Sequence, residues 1–164
     1  MHIKELDYFN ELSEVLNSLV IKRFQDLKRA IKECKGTIYI LGNGGSSSIA
    51  SHACNDILKV FKKDARNLAD NLAVFSAFSN DINYESSLSE ILKIVLKEND
   101  LVICLSTSGK SKNILNAYNY SKNICKTIFI SGNTSLIEDF VIQSSNTQIL
   151  EDAFSVIFHG ICKI

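Results

Sequence analysis

The 164 residues carry eighteen Lys or Arg against eighteen Asp or Glu, a formal net charge of zero, and 46% of them are hydrophobic. That length and apolar content suit one domain with a real core, so residues 1–164 read as a single domain with an N-terminal helical segment over about 3–34. Balanced charge and short apolar runs argue against a nucleic-acid surface, an acidic-lipid target or a membrane span. The first residues lack the apolar core of a signal peptide, which makes the cytoplasm the expected location. Cys34, Cys54, Cys104, Cys125 and Cys162 are odd in number and contain no C-x-x-C pair. They read as reduced, mostly buried small hydrophobes.

In chain order, Leu6, Phe9, Leu12, Leu16, Leu19, Phe24, Leu27 and Ile31 recur at helical spacing with no breaker before Gly36. This predicts one long helix or two in series. Thr37-Ile38-Tyr39-Ile40-Leu41 is short, continuous and rich in β-formers, as expected of a buried parallel strand. The pattern returns at Leu101–Leu105, at Thr127–Ile130 and, weakly, at Thr147–Leu150, with a further weak strand near 66–69. Helices are expected at about 46–63, 84–97, 111–123, 134–142 and 151–164. Alternating strands and helices predict a parallel sheet covered on both faces, with ligands bound beyond the carboxyl ends of the strands.

Two loops fall at such ends: Gly42-Asn43-Gly44-Gly45-Ser46-Ser47-Ser48, and Ser106-Thr107-Ser108-Gly109-Lys110-Ser111. Each turns from a strand into a helix, where backbone N–H groups and hydroxyls can face an anion. The first is neither a P-loop nor G-x-G-x-x-G, since no Gly-Lys-Ser/Thr follows and Ser47 stands at the third glycine position, which disfavours a nucleotide. The second places four hydroxyls within six residues, more than an N-cap requires. Together they point to a small phosphorylated ligand.

His52 and Asp56 stand at i and i+4, on one helical face, where they could chelate a metal, act as an acid/base pair or form a solvated contact. Glu151 and His159 are eight residues apart, roughly 80° around a helix and about 12 Å along it, with Ser155 between them. They could share one metal only by reaching it from opposite sides.

Asn43-Gly44-Gly45-Ser46 with His52, then Asn80-Asp81, then Ser106-Thr107-Ser108-Gly109-Lys110-Ser111-Lys112-Asn113-Ile114, then a terminal helix with His159, follow one another as in bacterial phosphoheptose isomerases. From about residue 37 to the end the chain resembles this branch of the SIS sugar-isomerase fold. The resemblance implies a three-layer α/β/α sandwich on a five-stranded parallel sheet and a homotetramer with active sites between subunits. It also implies a zinc-type metal and conversion of sedoheptulose 7-phosphate to glycero-manno-heptose 7-phosphate for surface polysaccharide, lipopolysaccharide or capsule. Matched by position, substrate contacts fall to Asn43, Gly44, Gly45, Ser46, Asn80, Asp81, Ser106, Thr107, Ser108, Ser111 and Glu151. The family quartet of His, Glu, Gln and His corresponds to His52, Asp56, Glu151 and His159, an aspartate and a glutamate replacing glutamate and glutamine. His, Asp, Glu and His remain a chemically sensible zinc set. Asp56 then stands as the base and His159 as the partner acid/base.

A few residues are missing between Phe61 and Asp70, where the family carries a substrate-facing basic residue, and Lys59, Lys62 or Lys63 are candidate replacements. Two other readings go with the same residues: a non-catalytic SIS module that binds a sugar phosphate or a protein, and an isomerase of another phosphorylated sugar.

Overall fold

The structure, a computed structural model, describes residues 4–133, 135, 137 and 139–163. The N-terminal segment is two helices in series, α1 (Lys4–Asn17) and α2 (Ile21–Glu33). They part where the Ser18 hydroxyl turns back to the Val15 carbonyl at 2.7 Å and Val20 takes an extended conformation. β1 (Ile38–Leu41) follows, buried at all four positions, then α3 (Gly44–Phe61) and a two-residue β2 (Ala65–Arg66). A 3-10 turn (Leu68–Asp70), α4 (Leu72–Asp81) and α5 (Ser87–Val95) lead to β3 (Leu101–Ser106). The chain continues through α6 (Lys112–Ser121), β4 (Lys126–Gly132), β5 (Phe140–Ile142) and α7 (Thr147–Cys162).

All pairings are parallel, and the five strands lie in the order β2-β1-β3-β4-β5. Side chains alternate across this sheet as the two-residue strand period requires. Ile38, Ile40, Ile103, Leu105 and Ile130 join α2, α3 and α7 on one face. Tyr39, Leu41, Val102, Cys104 and Phe129 join α5 and α6 on the other. The sheet is therefore the middle of three layers. From β1 the chain moves outward to β2, whereas β3 sits on the other side of β1, so the strand order reverses between β1 and β3. α3 leaves β1 toward one face and α6 leaves β3 toward the other. The crevice where they part is where such sheets bind ligands.

α7 holds one layer together. Ile149, Leu150, Ala153, Phe154, Ile157, Phe158 and Ile161 are buried along it. Ala50 and Ala53 of α3 and Ala153 of α7 are fully buried in the same cluster, and small side chains at a helix contact allow the axes to approach closely. Among the described residues no helix is long and apolar enough to cross a membrane.

Four expectations change. The stretch 147–150 is the first turn of α7 rather than a strand: Asn146 caps it, its side-chain oxygen accepting from the Gln148 N–H at 3.1 Å. Within the stretch 134–142, the described residues 139–142 are not helical. Phe140, Val141 and Ile142 pair with Ile130, Ser131 and Gly132 as the edge strand β5, while residues 134, 136 and 138 lie outside the described set. The weak strand near 66–69 narrows to Ala65–Arg66, and the 3-10 turn follows it. Finally, α4 lies in a stretch that the sequence pattern leaves unassigned: its six apolar residues are spread around the helix, and Ser76, Ser79 and Asn80 make only a short polar stripe.

Candidate active site

α3 begins in the β1 turn and carries the first group of polar residues. His52 and Asp56, one helical turn apart, face each other with Nε2 and Oδ2 at 3.4 Å. α7 crosses α3 and brings His159 to the same point. The His159 Nε2 lies 2.9 Å from that of His52 and 3.6 Å from the Asp56 Oδ2, and the imidazoles meet edge to face. Both histidines are exposed and Asp56 is half-buried. Three electron-pair donors thus converge from two helices, an arrangement suited to a cation or to a shared proton.

Glu151 lies outside this trio. Its carboxylate rests against Gly45 at the start of α3, so close that a Cβ on Gly45 would stand 2.5 Å from its oxygens. A side chain at this position would push the Glu151 carboxylate aside. The Ser155 hydroxyl, between Glu151 and His159 on α7, donates to the Glu151 carbonyl at 3.3 Å.

The serine loop closes on itself at the end of β3. Ser106 is buried, and its hydroxyl accepts from the Gly109 N–H at 3.1 Å and stands 3.4 Å from that of Ser111. The Ser108 hydroxyl accepts from the Lys110 N–H at 3.2 Å. The Thr107 carbonyl accepts from the Gly132 N–H at 3.1 Å, tying the loop to β4. Gly109 has φ +65°, a left-handed conformation that glycine adopts without the clash a Cβ brings. Ser111 occupies the cap position of α6, yet its side chain makes no cap hydrogen bond. Asn43, at the cap position of α3, likewise makes none.

The Asn43 side chain instead spans the crevice. Its amide exchanges two hydrogen bonds with that of Asn113, at 2.9 and 2.8 Å, and its oxygen also accepts from the Tyr84 hydroxyl at 2.9 Å. Ser46 is buried in the first turn of α3. Beside it, the buried Asn67 amide reaches the Ser47 and Ser51 hydroxyls, each at 2.9 Å, and Ser51 donates to Asp70 at 2.6 Å. Asn80 and Asp81 close α4, exposed, with the Asn80 amide donating to the Asp81 carboxylate at 3.0 Å.

Sequence reasoning singled out neither Tyr84 nor Asn67, and quoted Asn113 without giving it a role. Its position inside the serine-loop motif was the available signal. Lys62 and Lys63 do not reach this crevice. They line a cleft with Lys35, Thr37 and Arg66 at the amino end of β1, where the Lys63 ammonium donates to the Cys34 carbonyl at 2.5 Å. The left-handed residue Lys62 ends α3 and turns the chain toward that opposite edge.

Comparison with known proteins gives the chain a lineage. The SIS domain family profile fits residues 7–132. The phosphoheptose isomerase of Campylobacter jejuni is 30% identical, aligned over 93% of this chain and 88% of its own length. Among solved structures, the phosphoheptose isomerase of Neisseria gonorrhoeae superposes with a TM-score of 0.86 at 18% identity, covering 97% of this chain and 95% of its own. That of Francisella tularensis gives 0.85 at 22%, covering 97% and 94%. The two structures speak for the fold; the family profile and the Campylobacter sequence carry the assignment further, and by them the chain belongs to the SIS domain family, among the phosphoheptose isomerases.

Proposed function

We propose that this protein is a sugar-phosphate aldose–ketose isomerase that converts sedoheptulose 7-phosphate to glycero-manno-heptose 7-phosphate for lipopolysaccharide or capsule synthesis. The observation that carries this reading is the meeting of His52, Asp56 and His159 within 3.6 Å, where α7 crosses the helix that starts in the glycine loop, across the crevice from the serine loop. From Gly44 to His52 the rise along α3 is about 12 Å. A phosphate held at the loops therefore leaves the far end of a seven-carbon sugar to reach the trio.

In this reading Ser106, Thr107, Ser108 and Ser111, with Asn43, Gly44, Gly45 and Ser46, hold the phosphate and adjoining hydroxyls. Asn80, Asp81 and Glu151 contact the sugar. Binding at the distal phosphate orients the reacting end. Asp56 takes the proton from the carbon beside the carbonyl while His159 protonates the carbonyl oxygen, giving a cis-enediol. Asp56 then returns its proton to the former carbonyl carbon, and His159 takes one from the neighbouring hydroxyl.

The trio also fits zinc. Tetrahedral zinc with ligand bonds of about 2.0–2.1 Å sets its donor atoms about 3.3 Å apart, a spacing that 2.9, 3.4 and 3.6 Å bracket. His52, Asp56 and His159 would hold it, with Glu151 the residue that the family pattern puts in fourth place. Bound zinc supplies polarisation of a carbonyl and of the charge that develops on its oxygen.

We further read the chain as one domain that works in the cytoplasm as a homotetramer with sites between subunits. What supports an assembly is α4, where none of ten largely apolar residues is buried, together with Leu6 and Phe9 of α1, 55% and 64% exposed. Incubation with sedoheptulose 7-phosphate, followed by NMR with zinc and with a chelator, tests the reaction. Aldose formation that the chelator stops is the expected result. Binding without conversion would favour a non-catalytic SIS module, and conversion of a different sugar phosphate would move the substrate assignment.

A further inference from the structure

We propose that Asn113 and Tyr84 are positioning residues that clamp the two phosphate-binding turns together through Asn43. The inference rests on the sugar-phosphate reading above and adds how the two halves of that site keep their spacing.

Asparagine at an N-cap ordinarily turns its side-chain oxygen onto the N–H groups of the helix's own first turn. Asn43 does not. Its oxygen accepts from the Asn113 amide at 2.8 Å and the Tyr84 hydroxyl at 2.9 Å, which fills both lone pairs, and its amide donates to Asn113 at 2.9 Å. Asn43 can therefore offer a ligand only its one remaining N–H. Because the side chain is turned away, the first-turn N–H groups of α3 carry no side-chain cap from their own cap residue.

Asn113 is suited to the task because it is 1% exposed and sits in the first turn of α6. Its amide makes both bonds to Asn43 in a dry place, where a reciprocal pair holds geometry well and a lost partner is costly. Tyr84 extends the clamp to a third segment. Its ring packs edge to face on Phe75 at 5.9 Å, and the next residue, Glu85, accepts from Lys112 at 2.8 Å while its carbonyl accepts from Asn116 at 2.9 Å. The connection between α4 and α5, downstream of Asn80 and Asp81, is thereby fastened to both turns.

The test compares the wild type with Tyr84→Phe, Asn113→Ala and the double variant, reading KM and kcat for sedoheptulose 7-phosphate. Tyr84→Phe is expected to raise KM about tenfold, the worth of about one lost hydrogen bond of this kind, and Asn113→Ala, which loses two, by at least as much, each with kcat within about twofold. The double variant should raise KM well short of the product of the singles, because both act on one clamp. Unchanged KM with a lower apparent kcat, the mark of a smaller folded fraction, would overturn the proposal, as would fully multiplicative effects. Tyr84→Phe removes one hydroxyl from a half-exposed ring, so it keeps the test open if Asn113→Ala does not fold. A ligand-free measurement separates this proposal from the choice of substrate. In Tyr84→Phe, the amide resonances of Gly44 and of the more distant Gly109 should both shift, and a Gly109 signal that stays in place would refute the clamp even if the sugar phosphate proves wrong.

Discussion

At the residue scale, the proposed mechanism puts proton transfer and phosphate binding on different side chains, so they separate in a variant series. Asp56→Asn keeps size and shape but removes the basic carboxylate; turnover should fall below detection while the sugar phosphate still binds by calorimetry. Ser108→Ala should do the reverse, weakening binding severalfold with little change in kcat. Equal loss of turnover with unchanged affinity in both would contradict these roles. The cysteines give a second residue-level expectation. Burial pushes the Cys104 thiol far up, and burial followed by Asp70 pushes Cys54 up to about 12, whereas Cys125 and Cys162 are only partly covered. At about pH 8 a thiol reagent should label Cys125 and Cys162 first and leave Cys54 and Cys104 until the protein unfolds, as mass spectrometry of digests would show. His52 with Asp56 was legible from a four-residue spacing; His159 joined them only through the family resemblance, since spacing says nothing of how α7 crosses α3, and the structure brings it there.

At the element scale, the packing of α7 on α3 is what assembles the trio. Phe154 is fully buried in that layer. Phe154→Ala should cost about 3–5 kcal/mol in a denaturant titration, and it should lower kcat more than the folded fraction alone explains, because the His159-to-His52 distance is set by this contact. Gly109→Ala acts on a turn instead. Its φ of +65° and the Ser135 side chain, which an alanine methyl at this position would strike, should together lower the melting temperature and weaken sugar-phosphate binding. A wild-type melting curve for that variant would mean the loop relaxes freely. The long helices and central strands were readable because period and length agree there. The edge was not: Phe140–Ile142 is three residues long, and what makes it a strand is the neighbouring edge of β4. Thr147–Leu150 has β-forming residues, but the Asn146 cap and the buried Ile149 and Leu150 make it helical.

At the scale of the whole molecule, the outstanding feature is α4, an apolar helix left on the surface. Leu72 is 70% and Ile82, just beyond the helix, 50% exposed. If α4 lies in the proposed tetramer interface, Leu72→Asp or Ile82→Asp should shift the light-scattering mass to smaller species without unfolding the subunit; an unchanged mass would remove α4 from that interface. The N-terminal helix contributes differently. Tyr8 donates to Asp152 of α7 at 2.5 Å, and this hydrogen bond, with burial and the Asp152 charge, pushes its hydroxyl from 10.0 up to about 12. The folded state therefore holds that proton more tightly than the unfolded chain. Its contribution is fully present below about pH 10 and is lost as pH rises toward 12. Tyr8→Phe should flatten that part of the alkaline fall in stability, which denaturation midpoints at about pH 9 and 11 would reveal.

The sequence by itself determined the layer plan, the two small-residue turns and the pairing of His52 with Asp56, because these rest on local matters: a two- or 3.6-residue period, small residues where a strand meets a helix, and a histidine one turn before an aspartate. The family resemblance followed from the same segments. Tertiary structure decided which residues meet. Strand order placed the glycine and serine turns side by side, α3 and α7 joined His159 to His52 and Asp56, and Glu151 went to Gly45 instead. Asn43 was turned from its own helix toward Asn113 and Tyr84, 70 and 41 residues away along the chain. Contacts of that separation leave no periodic trace in the residues that make them, since their partners are chosen by the packing of whole elements.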